Sequence, residues 1–160
     1  MASARVTMKG AAKVKARIKR VVPAIELELR KILIDDAREI SEEAIDEVNK
    51  PKRGRLYRGK YRGTSNYYQW RASAPGEAPA KRTGENVARI GAKRWNRKHK
   101  PGAKIKYPNI YKMLERGIGG ARPVAPRPLF GPIMAKRRAG IRDRVESATR
   151  RVLRVEIRRK

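Results

Sequence analysis

Residues 23–49 read PAIELELRKILIDDAREISEEAIDEVN, and the spacing of their apolar positions decides the fold. Ile25, Leu29, Ile32, Leu33, Ala37, Ile40, Ala44 and Val48 recur at the steps that place them on one face of an α-helix. Glu26 and Glu28 fall in the first turn, where carboxylates suit the helix dipole. Glu26 and Arg30 form a favourable i,i+4 pair, and Pro51 stops the run. A helix of this span is about 40 Å long. The neighbouring carboxylates Asp35 and Asp36, like Glu42 and Glu43, point in different directions on such a helix. They read as a polar face and not as an acid–base pair.

Upstream, residues 9–22 read KGAAKVKARIKRVV, with Ala11, Val14, Ile18 and Val21 again at helical steps. This basic amphipathic stretch is either an arm that binds DNA or a membrane surface, or a first helix with a solvated lysine face. Pro23 either starts a new helix or kinks one already running. The division expected is residues 1–22 as arm or first helix and residues 23–160 as a single α+β domain, one domain being what 160 residues support.

Downstream the character changes. Arg53, Arg55, Arg58, Lys60 and Arg62 interleave with Leu56, Tyr57 and Tyr61, and Tyr67, Tyr68, Trp70 and Arg71 follow. The pattern predicts a β-hairpin turning near Gly63-Thr-Ser-Asn66. Basic residues among aromatics suit phosphates and stacked bases. The plainer reading is a strand pair with its aromatic face on the helix and its arginine face in solvent. Ser73-Ala-Pro-Gly-Glu-Ala-Pro-Ala-Lys-Arg-Thr-Gly84 is an extended, turning connector, since Pro75 and Pro79 lack an N–H and Gly76 and Gly84 allow turns.

Beyond it, Val87, Ile90 and Trp95 predict a third strand and residues 104–107 a fourth. Residues 110–117 predict a short helix or strand, and residues 121–128 a second proline-rich connector. From about Pro132, Met134, Ile141, Val145, Ala148, Val152 and Val155 trace a second long helix, although Leu153, Val155 and Ile157 also alternate as a strand would. The fold class expected is α+β: a small antiparallel β-sheet of about four strands flanked by a long N-terminal helix and a C-terminal helix.

The charge is extreme and uneven. Lys and Arg number 43 against 15 Asp and Glu, a net charge of +28. Residues 1–50 hold 11 basic and 9 acidic groups and residues 51–160 hold 32 and 6, so the excess lies in the later part. Such a balance calls for a polyanionic neighbour: nucleic acid, an acidic protein surface or anionic lipid. There is no cysteine, hence no disulfide or thiolate metal site, and the single histidine, His99, lies in a loop-like run of cations. No apolar run approaches the roughly 20 residues of a membrane span, no secretory signal is read at the start, and no phosphate-binding glycine loop is present. The acids of the basic half are too scattered for a metal site, so no enzymatic activity and no cofactor are expected.

Two stretches together resemble a known family. The first is Ala72-Ser-Ala-Pro75-Gly76-Glu-Ala-Pro79-Ala followed by Thr83-Gly84. The second is Tyr111, Leu114-Glu115 and Gly117, then Ala125-Pro126-Arg127-Pro128-Leu-Phe130-Gly-Pro132. Their order and spacing resemble the tailed-phage head–tail joining proteins, also called tail-completion, tail-terminator or neck proteins. The chain departs from that pattern at Asn86, Arg116 and Ile118. The resemblance covers about residues 25–150. It implies a structural virion protein with no enzymatic activity, an antiparallel sheet flanked by helices, and a homo-oligomeric ring, most often a hexamer. Such a ring caps the tail-tube protein and docks it to a head connector, adaptor or stopper protein, with double-stranded DNA held non-specifically in the lumen and no membrane involved. It places the protein in the virion neck, and in the host cytoplasm during assembly.

Duplex DNA carries one charge per about 1.7 Å, so a ring about 40 Å tall faces roughly 24 phosphates. Six copies of +28 carry +168, far more than the lumen uses. A minority of the cations is therefore expected at DNA and most at acidic neighbours. The candidates for these contacts are Arg53, Arg55, Arg58, Lys60, Arg62, Lys93, Arg94, Arg97, Lys98 and Lys100. The alternative function class is a ribosomal or other RNA-binding protein that stacks bases on Tyr67, Tyr68 and Trp70.

Overall fold

The structure, a computed structural model, describes residues 11–61, 63–81, 84–94, 102–117 and 124–158. It is mixed α+β: α1 (Ala11–Asn49), β1 (Leu56–Lys60), β2 (Tyr67–Arg71), α2 (Glu85–Ala88), β3 (Gly91–Arg94), β4 (Ala103–Lys106), α3 (Asn109–Arg116) and α4 (Phe130–Arg158). Pro23 lies inside α1, so the basic stretch and the acid-rich stretch form one continuous helix. The second half of α1 buries Ala37, Ile40, Ala44 and Val48 of the expected face, together with Ile34, which the stripe did not include, while Ile32 and Leu33 are half-buried. Residues 13–20 are exposed, and the stripe members Val14 and Ile18 have no cover among the described residues.

The α4 helix lies antiparallel on α1. Lys136 and Arg137 meet Glu43 at 3.1 and 2.6 Å, Arg137 also meets Glu39 at 2.5 Å, Arg144 meets Asp36, and Arg151 meets Glu28 at 2.6 Å. The seven-residue spacing of Arg137, Arg144 and Arg151 repeats along one helix face and so fixes register against the acids of α1. Each exposed pair contributes little alone. Asp36 differs, because it is buried and its Oδ2 has no hydrogen-bond partner among the described residues, leaving Arg144 to hold its charge. The α4 helix begins at Phe130 and runs to Arg158, so the strand-like alternation of its tail is not realised. Ile133 and Ala148 are buried, whereas Met134 and Val155, read as part of the stripe, are exposed.

The four described strands form two antiparallel pairs and not one sheet, β1 with β2 and β3 with β4. Val87, read into the third strand, is buried in the short helix α2, Ile90 lies between the two elements, the strand begins only at Gly91, and Trp95 lies outside the described residues. Only β3–β4 packs on α1. The core is a single cluster of Ile40, Ala44, Val48, Val87, Ile90, Tyr111, Leu129, Phe130 and Ile133, gathered where α1, α2, α3 and the start of α4 meet. No helix among the described residues is long and apolar enough to cross a membrane.

Candidate nucleic-acid interface

The two connectors that are far apart in sequence meet in space. Arg127 Nη1 donates to the backbone oxygen of Ser73 and, at 2.8 Å, to its hydroxyl. The Arg127 N–H donates to Leu114 O at 2.7 Å, and the Gly76 N–H donates to Pro126 O at 3.3 Å. Glu115 Oε1 accepts the Gly131 N–H at 2.7 Å, satisfying an otherwise unpaired donor in the first turn of α4. Tyr111, Leu129, Phe130 and Pro79 are buried beneath this node. Pro75, Gly76 and Pro126 lie on its surface, with Pro128 half-buried, Pro132 exposed in the first turn of α4, and Gly84 just before α2. Thr83 lies outside the described residues.

The node also holds the base of the β1–β2 hairpin. Glu77 Oε2 accepts the Ala74 N–H at 2.7 Å and the Arg53 N–H at 3.2 Å, and Gly54 N–H donates to Ala72 O at 3.0 Å. The two bonds to Glu77, that from Ala74 foremost, hold its carboxyl below the ordinary 4.5. The Arg137 guanidinium, with Lys136, does the same for Glu43. Carboxylates with depressed folded values stabilise the fold above the unfolded value and lose that contribution as pH falls through the folded one. The urea midpoint, followed by circular dichroism, is therefore expected to fall as pH drops below about 4.5. Glu77→Gln, whose amide does not titrate there, should remove part of that fall. An unchanged pH profile in this variant would refute the role assigned to Glu77.

From that base the hairpin projects, with register Tyr57↔Trp70, Gly59↔Tyr68 and Lys60↔Tyr67. Alternation puts Tyr57, Tyr61, Tyr68 and Trp70 on one face and Arg58, Lys60, Tyr67, Gln69 and Arg71 on the other. The first face is an aromatic ladder. Tyr57 stacks on Trp70 at 5.3 Å, Trp70 meets Tyr68 at 5.4 Å, and Tyr68 meets Tyr61 at 4.7 Å. Gly59 makes the ladder possible, because a Cβ there would lie 2.7 Å from the Tyr68 ring and 3.1 Å from that of Trp70. On the second face the Arg58 guanidinium sits 4.2 Å above the Tyr67 ring, a cation–π contact. The expected cover of the aromatic face by the long helix is not observed: the hairpin makes no extensive contact with either long helix.

No protein-family model, curated protein or solved structure matches the chain.

What the hairpin does follows from its own geometry and charge. Arg53, Arg55, Arg58 and Lys60 are exposed on or beside β1, and Lys93 and Arg94 are exposed on β3. The two groups of cations sit on separate sheets with no extensive contact between them, so they do not form one described patch. Arg62, Arg97, Lys98 and Lys100 lie outside the described residues, as does His99. Among the described residues no three His, Asp or Glu side chains are grouped to hold a metal ion. A cleft of about 450 Å³ beside the node includes Glu43, Glu47 and Glu77 in its wall, but each of these carboxylates already has a cation or an N–H as partner. The α1–α4 ion ladder was not foreseen from the sequence. Its signal was the heptad spacing of arginines in 137–151 against the acid-rich stretch 26–47.

Proposed function

We propose that the chain is a structural component of a tailed-phage neck, a homo-oligomeric ring that completes the tail and joins it to the head connector around the DNA channel. The observation that carries this reading is the node. The two stretches that resemble the head–tail joining family are hydrogen-bonded to one another through Gly76 and Pro126 and through Ser73 and Arg127, the latter 54 residues apart in sequence. The resemblance thus falls on one structural unit and not on two unrelated loops. The charge distribution supports it further. Lys136, Arg137, Arg144 and Arg151 are matched by α1 within the chain, which leaves the hairpin and β3 cations turned outwards for partners.

In this role a hexamer meets the tail-tube protein on one side and a connector, adaptor or stopper protein on the other. The hairpin cations face DNA or acidic neighbours, and the work done is binding without bond making or breaking. Its place is the virion neck, after assembly in the host cytoplasm. Light scattering and negative-stain images of the purified, nuclease-treated protein test the reading. Closed rings are expected, and a solitary monomer, or a monomer retained on folded RNA, would overturn it. DNA titrated at rising salt should be released without sequence preference, since phosphate contacts dominate. A salt-resistant, sequence-specific complex would contradict the proposed division of the charge.

A further inference from the structure

Neutralising a duplex accounts for the hairpin's cations but not for its aromatic side chains. Five of the chain's nine aromatic residues, Tyr57, Tyr61, Tyr67, Tyr68 and Trp70, stand on this one hairpin. Burying an aromatic ring is among the largest single gains open to a small domain, yet Tyr57, Tyr61 and Tyr67 are 44%, 46% and 56% exposed. Residues 52–71 also carry seven cations and no carboxylate. The occupant of this surface must therefore be anionic and must offer flat π-faces. The same hairpin of a second copy meets it with like charge, seven cations against seven. A duplex keeps its base faces stacked inside, where the exposed tyrosines cannot reach them.

The geometry points to single-stranded DNA as the ligand of the β1–β2 hairpin, contacting both its faces, with bases stacked on Tyr57 and Tyr61 beside Arg55 on the ladder face and on Tyr67 beside Arg58 and Lys60 on the opposite one. Proteins that hold single strands without reading sequence combine a cationic track with aromatic platforms and guanidinium–π contacts. The hairpin has all three, with Arg58 4.2 Å and Lys60 5.9 Å from the Tyr67 ring and Arg55 5.8 Å from that of Tyr57. The ladder that Gly59 permits stiffens the hairpin that carries both faces, so that little order is lost on binding. The choice of DNA over RNA rests on the proposed function, which puts the chain beside DNA, since stacking and phosphate contacts serve either polymer. The inference does not rest on the ring, since one hairpin suffices for it.

Trp70 makes the site observable. In the full chain with Trp95→Phe it is the only indole. Oligothymidylate of about 15 nucleotides, within the span such surfaces cover, should quench its emission saturably at about 0.15 M salt. The duplex of the same length should bind about tenfold more weakly and leave the emission unchanged. Tyr67→Ala should weaken single-strand binding about tenfold, in line with the loss of one stacked base. Arg58→Ala should reduce the slope of log K against log salt by about 0.7. Both variants should keep the helical circular dichroism of the parent, because the hairpin lies apart from the core. Equal affinity for the duplex, tighter binding of oligouridylate, equal binding of poly-glutamate, or an unaltered affinity in Tyr67→Ala would each overturn the inference.

Discussion

Leu129→Ala should lower the stability of the chain by about 2–5 kcal/mol, measured by urea unfolding at constant m-value. Leu129 is 2% exposed and is among the largest fully buried side chains. It belongs to the cluster that joins Ile40, Ala44 and Val48 of α1 to Val87, Ile90, Tyr111 and Phe130. The cost of such a truncation depends on how far the surroundings can close over the space, and here they are held on both sides. The backbone is bonded to Leu114 O at Arg127 and to Glu115 Oε1 at Gly131, each at 2.7 Å. The cavity therefore persists, and the upper half of the range is expected. Met113→Ala is the control, since Met113 is half exposed on α3, and surface changes of this kind stay within about 0.5 kcal/mol. Equal effects of the two substitutions would show that the node is not the place where the core is fastened.

The sequence made the long elements and the hairpin legible because their signals are local. The helical period from Ile25 to Val48 and the alternation around Leu56 and Tyr67 need only neighbours a few residues away. The antiparallel pairing of β1 with β2 followed from their separation. Whether two strand pairs join into one sheet depends on long-range docking, and the split into two sheets had no local signature. Val87 misled for a related reason. One apolar residue between a glycine and Ile90 fits a strand or a helical turn equally well, and burial against the core decided for the turn. The exposure of the hairpin's aromatic face was open in principle, because alternation says that two faces differ and not which one is covered. The proline-rich motifs were placed correctly as connectors, but their mutual contact through Arg127 and Ser73 depends on how α3 and α4 fold back on α1.

Gly117→Ala is the second substitution expected to damage the fold severely, by about 3 kcal/mol, although it adds a single methyl group. Gly117 follows α3 at φ +79° and ψ 165°, a region that is essentially closed to residues with a Cβ. The conformation alone costs about 1–3 kcal/mol. The space adds to it, for a Cβ would lie 3.0 Å from the Val124 backbone oxygen and 3.2 Å from Pro126 Cδ. Neither neighbour yields easily. Val124 and Pro126 bring the chain to Arg127, whose N–H and guanidinium tie the second connector to Leu114 and Ser73. Pushing them away loosens the node where the two family-like stretches meet. Gly63→Ala separates the two causes. Gly63 has nearly the same φ, +77°, but nothing stands within 4 Å of its would-be Cβ. It lies in the hairpin turn, so its strain is confined to an element that the core does not use, and it should cost about 1–2 kcal/mol. The measurement is the difference in urea midpoint between the two variants, read together with the oligomeric state. Gly117→Ala should be clearly the less stable and should also lose whatever ring the parent forms. Equal midpoints would mean that the close approach of the second connector to Gly117 is not part of what holds the node together.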